Sequence, residues 1–157
     1  MVQDKEIRAA EPLRPPPHGG SKRVLVAIRP EDDALARAIL GDRFDVVWCH
    51  SYREAELLLE KNIGLVACGV HFDNGKVFDL LRLVRSRPAT RRLPFFILLG
   101  AGSRYSPAIV QGIRSAAELL GVTAFTDLTR MAEKFGREQM REKLVEGMLA
   151  ALPAARG

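Results

Sequence analysis

No apolar run in this chain approaches the roughly 18–20 residues needed to cross a membrane. The N-terminus, Met1-Val2-Gln3-Asp4-Lys5-Glu6, is charged and has no apolar signal region. Cysteine is scarce: only Cys49 and Cys68, with no C-x-x-C spacing, which is a poor signal for a thiolate metal site. Both lie in or beside apolar runs and read as small buried hydrophobes in a reducing compartment. No P-loop lysine pattern is present, and no G-x-G-x-x-G follows the first apolar run, so the usual nucleotide fingerprints are missing. Nothing has the order of a Ser/His/Asp or Cys/His nucleophile. His50, His71 and Asp73 are the nearest approach to a metal set, and an i,i+2 spacing in a loop is unspecific. The expectation is a cytoplasmic protein that is not an enzyme and has no cofactor and no metal.

What is present is enough for one domain with tails: 157 residues, 47% of them hydrophobic. Residues 1–21 carry Pro12, Pro15-Pro16-Pro17 and Gly19-Gly20 and read as an unstructured tail. The domain is expected over 22–152, followed by a short tail, 153–157. Net charge is +5, and five arginines with no acid lie in one short stretch: Arg82, Arg85, Arg87, Arg91 and Arg92. From Asp127 onward six basic residues nearly balance five acidic ones. An arginine run attracts carboxylate or phosphate groups. It also suits a solvated helix end.

From Lys22 the pattern alternates. Residues 24–28 form a continuous apolar run of strand length, the mark of a strand buried on both faces. Asp32 or Asp33 caps a first helix that Gly41 is expected to stop in the left-handed conformation. Residues 44–49 form a second strand. Ser51-Tyr52-Arg53-Glu54 has capping-box spacing, so Ser51 should open the second helix, with Asn62 near its end. Residues 65–70 form the third strand. A third helix runs over 77–87 with Val77, Leu80, Leu81 and Val84 on one stripe, and Pro88 ends it. Residues 95–99 are the fourth strand. Ser106-Pro107 gives an N-cap followed by proline at the first helical position. After Gly121, residues 122–126 are a fifth strand. One last helix is expected over 130–152, with Met131, Phe135, Leu144, Met148 and Leu152 as its apolar positions. Five strands alternating with five helices predict a doubly wound, flavodoxin-like α/β fold: a parallel sheet of order 2-1-3-4-5 with helices on both faces.

Between Lys22 and Leu152 the chain resembles bacterial response-regulator receiver domains. The resemblance rests on Pro94 with the apolar run behind it, on Asn74-Gly75 followed by Phe78, Leu80, Leu81 and Arg82, and on Gly121-Val122-Thr123-Ala124-Phe125. Phe125 falls where that family often places a tyrosine or phenylalanine switch residue. The resemblance implies an acidic, cation-holding pair after the first strand, where this chain has Ile28-Arg29. It implies a phosphoacceptor aspartate at the end of the third strand, where Gly69 stands. It implies a hydroxyl residue after the fourth strand, replaced by Leu99 or Gly100, and a lysine after the fifth, where Asp127-Leu128 stands. Glu31, Asp32 and Asp33 come a few residues late, and Asp73 is the carboxylate nearest the acceptor corner.

Phosphoryl transfer to a carboxylate is mostly positioning and charge neutralisation, and magnesium needs carboxylate oxygens. With four corners vacated, the expectation is a pseudo-receiver: a stand-alone signalling adaptor that works through protein contacts. By resemblance the face of the fourth helix, fifth strand and fifth helix supplies Arg114, Glu118, Phe125, Arg137 and Arg141 as interaction candidates, for a partner or for a second copy in a homodimer. Arg87, Arg91 and Arg92 are a separate basic candidate, placed at the opposite end of the sheet from the vacated corners. The rival is a sensor of a small anionic ligand, a nucleotide or second messenger, at the Gly-rich loop 100–106. Nucleic acid ranks last, because no recognition helix or stacking aromatics are evident.

Overall fold

The computed structural model describes residues 22–100 and 105–153. Five strands form one parallel sheet: β1 (Arg23–Ala27), β2 (Asp45–Cys49), β3 (Leu65–Gly69), β4 (Phe95–Leu99) and β5 (Ala124–Asp127). The sheet order is β2-β1-β3-β4-β5, the expected 2-1-3-4-5. β3 and β4 are buried at every position, and β1 at all but its first. That burial explains why these segments read as unbroken apolar runs. The edge strands β2 and β5 are only half covered.

Helices α1 (Asp33–Leu40), α2 (Tyr52–Leu58), α3 (Val77–Ser86), α4 (Pro107–Leu119), α5 (Leu128–Phe135) and α6 (Arg137–Ala151) cover the sheet in two layers. On one face α2, α3 and α4 bury Ala55, Leu80, Leu81, Val84 and Ala117 against Leu25, Val66, Phe95 and Ile97. On the other, α1 and α6 bury Ile39, Leu40, Leu144 and Met148 against Val24, Val26, Ala67 and Phe96. Full burial of the Val, Leu, Ile, Met and Phe side chains among these contributes about 1.5–3 kcal/mol each.

Ser51 opens α2 as its spacing predicts: its Oγ accepts from Glu54 N at 3.1 Å, and Glu54 Oε1 accepts from His50 N at 2.9 Å. Ser106 caps α4 in the same way, with Pro107 behind it. Three expectations need correction. Asp32 stands at the N-cap of α1, but its carboxylate is turned onto Arg29 Nε at 3.0 Å and caps nothing. Gly41 is right-handed, with φ −60°, so the end of α1 does not use a left-handed glycine. The single last helix is two. Gly136 has φ +85° and ψ 160°, a conformation open almost only to glycine, and it breaks the chain between α5 and α6. Phe135, expected in the core, is consequently 37% exposed.

Cys49 and Cys68 are free and buried. Each pairs in register with Ala27 from opposite sides, so they are two strands apart. That is about 9–10 Å, beyond disulfide reach.

Candidate functional site

The strand ends meet where the resemblance locates phosphoacceptor chemistry. Ile28 follows β1 and is buried, its N–H donating to Cys49 O at 3.1 Å. Gly69 ends β3. A Cβ there would stand 3.4 Å from Ile28 Cγ2. Leu99 ends β4 and is buried; Leu128 follows β5 and is buried too. Ile28, Leu35, Gly69, Leu98, Gly100, Leu128 and Leu144 surround a cavity of about 50 Å³. Its one carboxylate, Asp32, is already held by Arg29. A magnesium ion would find no open carboxylate there.

Asp33, Asp73 and Asp127, near this end, are also engaged, whereas Glu31 is exposed on the open cleft beside them. Asp33 takes His50 Nε2 on both oxygens at 2.9 Å. Asp73 sits in a left-handed turn with φ 44°, and its Oδ2 accepts from Tyr52 N at 2.8 Å, tying the β3–α3 loop to the start of α2. Asp127 caps α5, accepting from Arg130 N at 3.0 Å. Its position at the end of β5 is a helix-start position in this chain, because the strand passes into α5 without a loop. Arg29, His50, His71, Asp73 and Tyr105 line an open cleft of about 480 Å³ beside the aliphatic corner. Among the described residues no group of three His, Cys, Asp or Glu is placed to hold a metal. The rival ligand loop, 100–106, includes residues 101–104, which lie outside the described residues.

The arginine run separates into distinct roles. Arg85 donates to three carbonyls: Gly121 O at 2.9 Å, Arg91 O at 3.1 Å and Leu93 O at 2.7 Å. It thereby fastens the turns that lead into β4 and β5, and burial lowers its pKa from the ordinary arginine value. Arg87 reaches Glu56 on α2 at 3.2 Å and Glu60, in the turn after α2, at 3.5 Å. Arg82 pairs with Asp79. Arg91 and Arg92 are exposed and, among the described residues, have no carboxylate partner. Arg85, Arg87, Arg91 and Arg92 lie near the start of β4, where α3 ends and the chain enters the strand.

Along β5 the structure brings together Arg114 and Phe125. The guanidinium carbon of Arg114 is 4.7 Å from the Phe125 ring centroid, and its Nη1 is 3.4 Å from Phe125 O. Glu118 is exposed on the same helix. Arg137 is exposed at the start of α6, and Arg141 is turned to α1, with Nε 3.4 Å from Ile39 O. Sequence reasoning missed Arg130, Lys134 and Phe135, which α5 sets beside Arg114 and Phe125 around a cleft of about 280 Å³. The signals were there: Asp127-x-x-Arg130 is an N-cap pattern, and Gly136 directly follows Phe135.

No helix among the described residues is long and apolar enough to cross a membrane. No family model matches the chain, and no curated protein matches it. Solved structures do. A putative response regulator from Chloroflexus aurantiacus J-10-fl aligns at 20% identity over 82% of this chain and 98% of its own, with a TM-score of 0.60. A response regulator from Hahella chejuensis aligns at 19% identity over 82% and 96%, with a TM-score of 0.61. The receiver domain of a sensor histidine kinase from Pseudomonas aeruginosa PAO1, which has a magnesium ion coordinated in its active site cleft, aligns at 14% identity over 83% and 98%, with a TM-score of 0.60. At these identities the likeness shows the fold, and that fold is the one of response-regulator receiver domains.

Proposed function

We propose that this domain is a pseudo-receiver: a non-catalytic signalling module of the cytoplasm that acts through protein contacts and takes no phosphate on aspartate. The observation that supports this most directly is the aliphatic closure of the strand-end corner by Ile28, Gly69 and Leu128. A phosphoacceptor site needs a carboxylate, a cation cage and a phosphate-binding cation within one small volume. Here that volume is lined by aliphatic side chains and by Asp32, which is held by Arg29. The nearby acids Asp32, Asp33 and Asp73 already serve Arg29, His50 and the start of α2.

Incubation with acetyl phosphate and magnesium, followed by intact-mass spectrometry, tests the reading. The expected result is an unmodified mass. A stoichiometric phosphate adduct would overturn it.

A further inference from the structure

β2 ends the sheet on the side away from β5, and it pairs only with β1. Ile28 N donates to Cys49 O at 3.1 Å, and Cys49 stands in register with Ala27. The backbone groups of Asp45, Val47 and Cys49 therefore face β1, and those of Val46 and Trp48 point away from the sheet. Past them His50 N also points outward and is closed by Glu54 Oε1 at 2.9 Å. Among the described residues the N–H and C=O groups of Val46 and Trp48 have no partner. The opposite edge differs: on the outer side of β5, Arg114 Nη1 lies 3.4 Å from Phe125 O.

Exposed edges are commonly guarded by lysine, proline, a bulge or an inward-pointing charge. β2 has none of these on its outer row. Its sequence is Asp-Val-Val-Trp-Cys, and its register with β1 runs from Asp45 to Cys49 without a bulge. Its one charge, Asp45, is paired with Arg23 at 3.3 Å. Val46 and Trp48 pack on the side of α1 and α6, and Val47 packs on the side of α2, so the edge is apolar on both faces. Arg37 of α1 stands over the Trp48 ring, 4.3 Å from its centroid, so one face of the indole is already covered.

We propose that β2 pairs antiparallel with β2 of a second copy of this chain across a twofold axis, joining the two sheets into one. Identical edges related by a twofold run antiparallel, and the same patch serves on both sides. With Val46 opposite Trp48 of the second copy, the outward N–H and C=O groups of both residues are satisfied in both chains. Val47 then lies opposite itself, and Asp45 lies opposite Cys49 rather than opposite another acid. The twofold also reverses α2, which packs on β1 and β2. Glu54, exposed at the start of α2, comes to the end where the second copy has Lys61, exposed just after it. Opposite charges therefore share each end of the pairing. A foreign strand could fill the backbone row, but the order of charges and the reciprocal Val46–Trp48 contact are self-complementary. The inference goes beyond the pseudo-receiver reading and does not rest on it.

Sedimentation velocity of the full chain, from about 5 to about 200 μM, should show a reversible monomer–dimer equilibrium. Over the same range, amide exchange followed by NMR should slow about tenfold or more at Val46 and Trp48, and less at Val47, which already bonds β1. Val46→Pro removes one outward N–H and leaves the ladder to β1 intact, so the dimer should be lost with the fold retained. Lys61→Glu should weaken association about three- to tenfold, because the twofold repeats the reversed charge. A chain that stays monomeric, exchange at Val46 and Trp48 that ignores concentration, or a folded Val46→Pro variant that still dimerises would each overturn the proposal. So would a monomer that binds a peptide of alternating valine and threonine along β2, which assigns the edge to a foreign strand. If Val46→Pro melts early, the amide measurement on the parent decides alone. Monomeric behaviour together with an unmodified mass after acetyl phosphate removes the pairing and leaves the pseudo-receiver reading standing.

Discussion

An aspartate placed at the end of β3 would put a charge where the structure has an aliphatic wall. A Cβ on Gly69 meets Ile28 Cγ2 at 3.4 Å and Ala27 O at 4.0 Å, so there is room for a side chain. The carboxylate of Gly69→Asp would enter the cavity of about 50 Å³ among Ile28, Leu35, Leu98 and Leu128. Asp32, the one carboxylate lining it, repels a second. Desolvation and like charge both raise the pKa of a carboxyl. If the folded value lies about two to three pH units above the unfolded 3.9, the variant loses about 3–4 kcal/mol. Because the folded pKa is the higher one, the loss is complete above it and disappears below about pH 3.9. At neutral pH the melt should fall by about 10 °C for a chain of this size. Urea unfolding of parent and variant, followed by circular dichroism at pH 7 and pH 4, measures the difference. Gly69→Ala is the steric control and should stay within about 1 kcal/mol of the parent. Equal deficits at both pH values, or recovery of the variant on adding magnesium, would refute the reasoning.

Arg85→Met removes donors from three carbonyls and should cost about 2–4 kcal/mol in urea unfolding. That is the range for a few charge-assisted hydrogen bonds on a half-buried side chain after discounting for solvent. Replacing Arg91 and Arg92 together with serine should change stability by no more than about 0.5 kcal/mol. Burial pushes the Cys49 thiol up to about 12 and the Cys68 thiol well above its ordinary range. At pH 8 the thiolate of Cys49 is then about one part in ten thousand. A disulfide reagent such as dithionitrobenzoate should find no reactive thiol in the folded protein and both in urea. Rapid native labelling would contradict the packing described here.

The central strands were legible because burial on both faces leaves an unbroken apolar run. Residues 95–99 match β4 as observed. β5 was displaced by about two residues in the sequence reading. Its four residues are all half-buried and mix Ala, Phe, Thr and Asp, so no periodicity marks its ends. The division between α5 and α6 depends on one backbone angle at Gly136, and a helical pattern continues through it. Ile28, Gly69, Leu99 and Leu128 could be placed at the strand ends from the sequence, since each ends or follows a strand. The roles of Arg85, Arg87 and Asp73 could not. Their partners lie at Gly121, Glu56 and Tyr52, and distance along the chain hides such contacts from any local pattern.

The strand order also sets how the molecule breathes. Amide exchange from β1, β3 and β4 requires opening a core sealed on both faces, so these strands should hold their protons longest. β5 shares only one ladder, with β4, and its residues are all half-buried. Opening is therefore least costly at that edge. Local opening would begin at β5 and leave the three central strands closed.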